Sequence, residues 1–465
     1  MTNILLWLPI LLPMLAGVLL IVRPGLRPGR TSCCLSLLTA AATAAAFLHG
    51  GVQRIDITGE FWLILTADRL GFFFAAVICG AFLCAMVYAT EYFRGDGRRR
   101  LFFAFCLLTQ GAMIGLCLSG NLLTFYLFYE LMSLASFPMV LYDGTEEARA
   151  AAMKYFGFSV FGAALVLMGM MLSGPLAAAR FGDLAKELSV RSIWAFLLIA
   201  VGFSCKAGMM PLSNWLPTAH PVAPAPASAL LSGVITKAGV LGIVRAAYFV
   251  FNPALVSGTF AQTVLLWLSV ATVFTGSMLA YKEKGLKKRL AYSSVSQLSY
   301  VIFGLALMTP EGLSAALLQV LFHACAKVGL FLCAGAYIHY AEATTVDQLL
   351  GVGRRMPKVT AAFTVFALSL IGLPPFGGFV SKWQLCTAAF AQGSVPAQMG
   401  VIVLMISALL TAGYLLPIVS RGWFPGYGFT CEVRDGGKAM TLPLLALCAV
   451  IVLLGLLPGL LPAAL

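Results

Sequence analysis

Eight ionisable side chains fall within stretches that are otherwise apolar: Glu130, Lys154, Lys206, Lys237, Arg245, His323, Lys327 and Lys382. A charge at membrane depth costs on the order of 3 to 15 kcal/mol, so such groups are rare and tend to be functional. Most of the eight share one chemistry, the uptake and release of a proton. Burial and neighbouring charge decide how tightly that proton is held. Glu130 lies in NLLTFYLFYELMSLASF, where nothing polar nearby in sequence excuses a carboxylate. Facing a lysine such as Lys206, its proton affinity would follow that lysine's charge. The plainer alternative is a static ion pair that locks two helices together.

His323 and Lys327, in LLQVLFHACAKVGLFL, are four residues apart and so share one face of a helix. Histidine titrates near neutrality, which suits a proton carrier between lysines; the alternative is a histidine that is simply hydrogen-bonded. A metal site is not expected, because no second histidine or carboxylate is near and Lys327 would repel a cation. Lys237, in the middle of its run, reads as a further carrier. Lys154 starts its run, and its head could equally reach the cytoplasmic surface. Arg245 does not give up its proton, which points to an electrostatic or structural role.

The stretch from Lys206 to Arg245, KAGMMPLSNWLPTAHPVAPAPASALLSGVITKAGVLGIVR, supplies three of these groups and the backbone irregularity they need. Proline removes a backbone donor and clashes with the preceding turn, so Pro211 should break the helix that carries Lys206. Pro374 and Pro375 in GLPPFGGFVSK should do the same beside Lys382. A broken helix at membrane depth survives only where it lines protein or a wet cavity. Two such breaks in corresponding halves point to inverted repeats around a mid-membrane path. Ordinary proline kinks with surface-reaching lysines are the alternative. His220, inside the first break, divides evenly between a channel mouth and a structural cap.

The elements that must hold these groups follow from composition. Of 465 residues, 61% are hydrophobic and only 10% charged, and mean hydropathy is +0.96. Soluble domains carry about a quarter charged residues, so this is a polytopic membrane chain with no room for a separate soluble domain. The expected fold is all-α: about fourteen transmembrane helices by the twenty-residue criterion. Residues 1–465 form one membrane domain. Within it, 1–100 hold the first three helices, 101–251 a first five-helix repeat and 261–421 a second, inverted one. A final helix covers 441–463, and helices seven and twelve are the broken ones. Gly51 to Thr66 alternates apolar and polar residues, as an extracellular hairpin would.

The net charge of +13 does not signal nucleic acid, because most Lys and Arg lie in short loops. Loops after odd-numbered runs hold Arg98 to Arg100, Lys287 to Arg289, Arg354 and Arg355, among others. Those after even-numbered runs hold only Arg54, Arg69, Arg180, Lys186 and Arg191. By the positive-inside rule both termini face outward. The twelve cysteines are scattered without a C-x-x-C, which fits packing rather than a cluster or haem. The run Leu5 to Val22 has no basic residue before it and no A-x-A after it, and reads as a retained first helix. GVG at Gly351 to Gly353 lacks the preceding strand and third glycine of a dinucleotide fingerprint.

Over roughly residues 60–450 the chain resembles the antiporter-like membrane subunits of respiratory complex I, Mrp cation/proton antiporters and membrane-bound energy-converting hydrogenases. FYELMSL, KAGMMPLSNWLPTAHPVAPAPASALLSGVITKAG, LKKRLAYSSVSQLSY, HACAK and GLPPFGGFVSK carry the resemblance. It implies that the family's fifth-helix glutamate is Glu130, its seventh- and eighth-helix lysines Lys206 and Lys237, and its eleventh-helix pair His323 and Lys327. The terminal twelfth-helix base falls on Lys382, where one branch of the family has glutamate. The family fold has fourteen helices and two inverted five-helix repeats. The long lateral helix of the most distal family member has no counterpart after the fourteenth run.

Two functions follow as expectations. The chain is a proton-translocating subunit of a redox-driven complex, of the quinone oxidoreductase or hydrogenase type, in a bacterial or archaeal cell membrane. It holds no cofactor of its own and packs laterally against other membrane subunits and lipid. Alternatively it belongs to a redox-independent antiporter exchanging Na⁺ or K⁺ for H⁺. A scaffold with a vestigial polar axis is the third reading, and the intact set of ionisable groups argues against it.

Overall fold

The computed structural model describes residues 4–23, 25–58, 61–425 and 435–457. The hairpin tip at 59–60 and the end of the expected final helix, 458–463, lie outside them. With no water in a bilayer core, each crossing must satisfy its backbone internally, and helices dominate. The first six are α1 (Ile4–Val22), α2 (Pro28–His49), α3 (Arg69–Tyr92), α4 (Arg99–Cys117), α5 (Leu122–Val140) and α6 (Glu146–Ser173). Between α2 and α3, β1 (Val52–Thr58) pairs antiparallel with β2 (Phe61–Thr66), with Val52 opposite Thr66, where the alternating pattern placed a hairpin. Then come α7 (Val190–Ala207), α8 (Leu216–Val222), α9 (Ala225–Leu230), α10 (Thr236–Phe249) and α11 (Pro253–Val256). The remainder are α12 (Phe260–Lys282), α13 (Leu286–Ala306), α14 (Pro310–Ala341), α15 (Val352–Arg355), α16 (Pro357–Ile371), α17 (Gly377–Gln392), α18 (Val395–Trp423) and α19 (Lys438–Leu456).

Side-chain caps mark several starts: Asp68, Asn121, Thr145, Ser189 and Thr309 each accept a hydrogen bond from the backbone N–H three residues on. Among the described residues, twelve helical segments are long and apolar enough to cross a membrane. The set does not include α13, whose Lys287, Lys288, Arg289 and serines dilute its apolarity, nor the shorter α16 and α17. Burial sorts centre from rim. The α9–α10 segment and α14 are buried almost throughout, whereas α2 and α19 turn most of their surface outward.

Pro211 lies in the non-helical stretch between α7 and α8, and Pro374 and Pro375 lie in the one between α16 and α17. α7 ends at Ala207 and Gly208 follows with φ +90°; α16 ends at Ile371 and Gly372 follows with φ +92°. Glycine takes that left-handed conformation without the Cβ clash that other residues meet. A Cβ on Gly372 would also stand 2.9 Å from Lys382 Cδ, so the missing side chain makes room for the lysine stem. Each interruption contains one cis proline bond, Met210–Pro211 and Pro374–Pro375. A third irregularity has no proline: the turn Leu231–Ile235 between α9 and α10 is widened to a π-helical one.

Candidate functional site

Lys237, on the first turn of α10, stands at the middle of the buried centre. Its Nζ donates to the carbonyl oxygen of Ser232, in the widened turn, at 2.5 Å, and meets His323 Nδ1 at 2.8 Å. Both residues are about 1% exposed. π-Turns often re-aim a side chain at a functional site, and this one sets Ser232 beneath the lysine. Ser232 Oγ lies 2.7 Å from Ser294 Oγ on α13. Ser294 donates in turn to the Leu290 carbonyl at 3.0 Å, and Lys327 Nζ donates to the same carbonyl at 3.0 Å. Lys327 also binds Ser293 Oγ. His323 and Lys237 are therefore linked to Lys327 through Ser232, Ser294 and the shared Leu290 carbonyl. The expected common face of His323 and Lys327 on α14 is present.

Lys206 occupies the last turn of α7 and is buried. Its Nζ donates to Tyr155 Oη at 2.9 Å and to Ser159 Oγ at 2.7 Å, both on α6, and lies 4.2 Å from the centre of the Tyr155 ring. Tyr155 is held by Ser136 of α5 at 2.6 Å. Glu130, on the same helix as Ser136, is half-buried, and its Oε1 has no hydrogen-bond partner. The carboxylate forms none of the ion pairs found among the described residues. The lysine's direct partners are hydroxyls, so the close Glu130–Lys206 pair expected from the sequence is not what holds it.

Lys382 lies beyond the second break, on α17. Its Nζ donates to the Leu370 and Ile371 carbonyls at 2.6 and 3.0 Å and sits 5.1 Å from the centre of the Tyr300 ring. It thus caps the carbonyl end of α16, where a cation is favoured. Lys206 caps no such end, so the two lysines near the breaks are held differently.

The accessory residues separate. Lys154 is exposed, while its neighbour Tyr155 is buried against Lys206; one residue is about 100° of helix rotation. His220 is fully buried on α8, stacked on Phe331 at 4.6 Å, with neither ring nitrogen hydrogen-bonded. Near the end of α8, Lys287 Nζ donates to the Ala223 carbonyl at 2.8 Å. Asp143 faces this lysine from the α5–α6 loop; partial burial pushes its carboxyl up, against the pull of Lys287 and Arg98.

Arg245 is fully buried and makes a two-pronged ion pair with Asp68, one prong 2.9 Å long. Asp68 also caps α3 through Gly71 N–H at 2.7 Å. The sequence reading missed Asp68, a carboxylate in an ordinary polar loop. Replacing it by alanine should strand the guanidinium in an apolar pocket between Phe181 and Phe249. Breaking a buried pair costs about 3–5 kcal/mol, and the partial exposure of Asp68 puts this case at the low end. Thermal unfolding in detergent should show the loss for Asp68→Ala, and Arg245→Met added to it should recover most of the stability.

A many-helix membrane protein with two lysines and a histidine buried together among its central helices is the class that this fold and site define. The chain belongs to the NADH:quinone oxidoreductase/Mrp antiporter transmembrane family, whose pattern matches residues 119–411. It is 32% identical to NADH-quinone oxidoreductase subunit N of Desulforudis audaxviator, over 91% of this chain and 89% of that one. It is 31% identical to hydrogenase-4 component B of Escherichia coli, over 88% of this chain and 65% of that one. Its fold is that of a chain in the Mrp complex from Dietzia sp. DQ12-45-1b, with a TM-score of 0.88 over 99% of this chain and 96% of that one at 24% identity. It is an antiporter-like, multi-pass membrane subunit of a kind found in bacterial and archaeal-type multisubunit complexes.

Proposed function

We propose that this subunit moves protons across the membrane within a redox-driven complex of the quinone oxidoreductase or hydrogenase type. The carriers are Glu130, Lys206, Lys237, His323, Lys327 and Lys382. The observation that carries the reading is the contact between Lys237 and His323, buried at the centre with Lys327 linked to it through serines. A static core gains little from two lysines and a histidine placed this way, since burying unpaired charge is costly. Proton carriers need such bases within hydrogen-bond reach of one another. Identity to a quinone oxidoreductase subunit and a hydrogenase component supports the redox partner. Electrons and cofactors belong to neighbouring chains, and this chain contacts other membrane subunits and lipid.

In this reading the twelve long spans, α13 and the broken α16–α17 pair make fourteen crossings, with both termini outside. Residues 101–251 and 261–421 form the inverted repeats, each containing one helix broken at a left-handed glycine. Arg245 holds α10 to α3 and carries no proton. Exchange of Na⁺ for H⁺ without redox chemistry is the second reading, favoured by the family's inclusion of Mrp antiporters. Inverted vesicles from cells containing the whole complex separate the two. Interior acidification on adding an electron donor, absent when this subunit is deleted, supports the first. Proton release driven by a sodium pulse alone supports the second.

A further inference from the structure

One hydrogen-bonded set outside the lysine–histidine row crosses from the centre toward the second break. On α13, Gln297 accepts from Gln319 of α14, Nε2 to Oε1, at 2.9 Å. Gln319 accepts from Ser381 of α17, Oγ to Oε1, at 2.6 Å. Gln297, Gln319 and Ser381 are 0–2% exposed. Gln319 stands four residues before His323 and so lies one turn below it on the same face of α14. Gln297 stands three residues before Tyr300, whose ring Lys382 overlies. Ser381 is the residue next to Lys382. Among the described residues this is the hydrogen-bonded side-chain bridge between the central helices and α17. Two buried polar atoms at its inner end have no partner, Gln297 Nε2 and His323 Nε2. A buried polar atom without a partner is costly, and water is the partner such atoms commonly take.

We infer that Gln297, Gln319 and Ser381 are the link through which the central histidine passes a proton toward Lys382, with Gln319 as the residue that positions it. This rests on the proton-carrying role proposed above. An amide holds its protons too firmly to relay them, so the link works by fixing water. A proton leaves His323 Nε2 for a water that accepts from Gln297 Nε2, and passes from water to water beside the amide and hydroxyl row, which holds those waters and carries no proton itself. It arrives at Lys382 Nζ when that amine is neutral. No bond other than N–H and O–H is made or broken. Ser381 donates to Gln319 and Gln319 donates to Gln297, so both amides face the same way. Turning Gln319 breaks the row at both of its ends, and turning Gln297 breaks its bond to Gln319.

The test is proton movement in inverted vesicles that contain the assembled complex, driven by its own electron donor or sodium pulse. Gln319→Leu removes both hydrogen bonds that hold the row, so translocation should fall at least about tenfold. Gln319→Glu keeps the acceptor and adds a titrating group, and should translocate with a new pH-dependent step absent from the wild type. Ser381→Ala should slow translocation without altering assembly, and it decides the matter if the leucine variant fails to assemble. A packing role for Gln319 would leave the pH profile of the glutamate variant unchanged, and that result overturns the link. Wild-type rates in Gln319→Leu or in Ser381→Ala overturn it as well. If Lys382→Arg abolishes translocation in the same vesicles, the proton-carrying role survives that failure. If Lys382→Arg also runs normally, the role fails with it.

Discussion

Lys382→Arg is expected to assemble normally and to lose proton translocation by about a hundredfold, the scale of removing one positioned acid–base group. The ammonium donates to the Leu370 and Ile371 carbonyls, and a guanidinium has donors enough for both. Gly372 leaves space for the longer stem, and the partial exposure of residue 382 lets the head extend. The charge at the end of α16 therefore persists. What arginine cannot do is release its proton. Vesicle acidification should vanish, while any redox turnover of neighbouring chains continues at least in part. Lys382→Glu, which keeps a group able to take up and release a proton, should retain some translocation. Normal acidification by the arginine variant would mean that Lys382 is only a fixed charge.

Lys206→Met should abolish translocation to a similar degree, about a hundredfold, with little loss of assembly. The reason lies in what the lysine leaves behind. Tyr155 keeps Ser136 at 2.6 Å, and Ser159 keeps the Tyr155 carbonyl at 2.8 Å. Neither hydroxyl is orphaned, and methionine fills most of the same volume. Glu130→Gln should match it if the carboxylate governs the charge on Lys206 through space. Assembly is read by detergent extraction and size, activity by dye quenching in vesicles. A Lys206→Met Glu130→Gln double variant that pumps normally would reduce the pair to architecture.

Most of the helical frame was legible because nearly every crossing is written as an apolar run. Pro211, Pro374 and Pro375 marked the interruptions because a missing N–H has the same effect in any context. The widened turn at Leu231–Ile235 left no such mark, since serine, glycine and valine sit as readily in an ordinary helix. Asp68 escaped notice because a carboxylate in a loop needs no explanation until Arg245 arrives from 177 residues away. Gln297, Gln319 and Ser381 escaped for the same reason: their alignment belongs to the packing of three helices. Even so, the serines and glutamine crowded into LAYSSVSQLSY are dense for a buried helix and were a readable sign. For Lys154 both readings stayed open in the sequence, because run position alone does not say which side of a helix a residue occupies.

The 2.8 Å separation of Lys237 Nζ and His323 Nδ1 has a mechanical side. At that distance one nitrogen must offer a lone pair to the other's hydrogen, so the two atoms share a single bridging proton. A second proton on the acceptor would turn attraction into a clash of two donors. It would have to part α10 from α14. Charging the centre twice thus amounts to pushing two helices apart, and pulling them together expels a proton. The pair would then work like a latch, converting a step in occupancy into a displacement that reaches a neighbouring subunit only through the outer helices packed around α10 and α14.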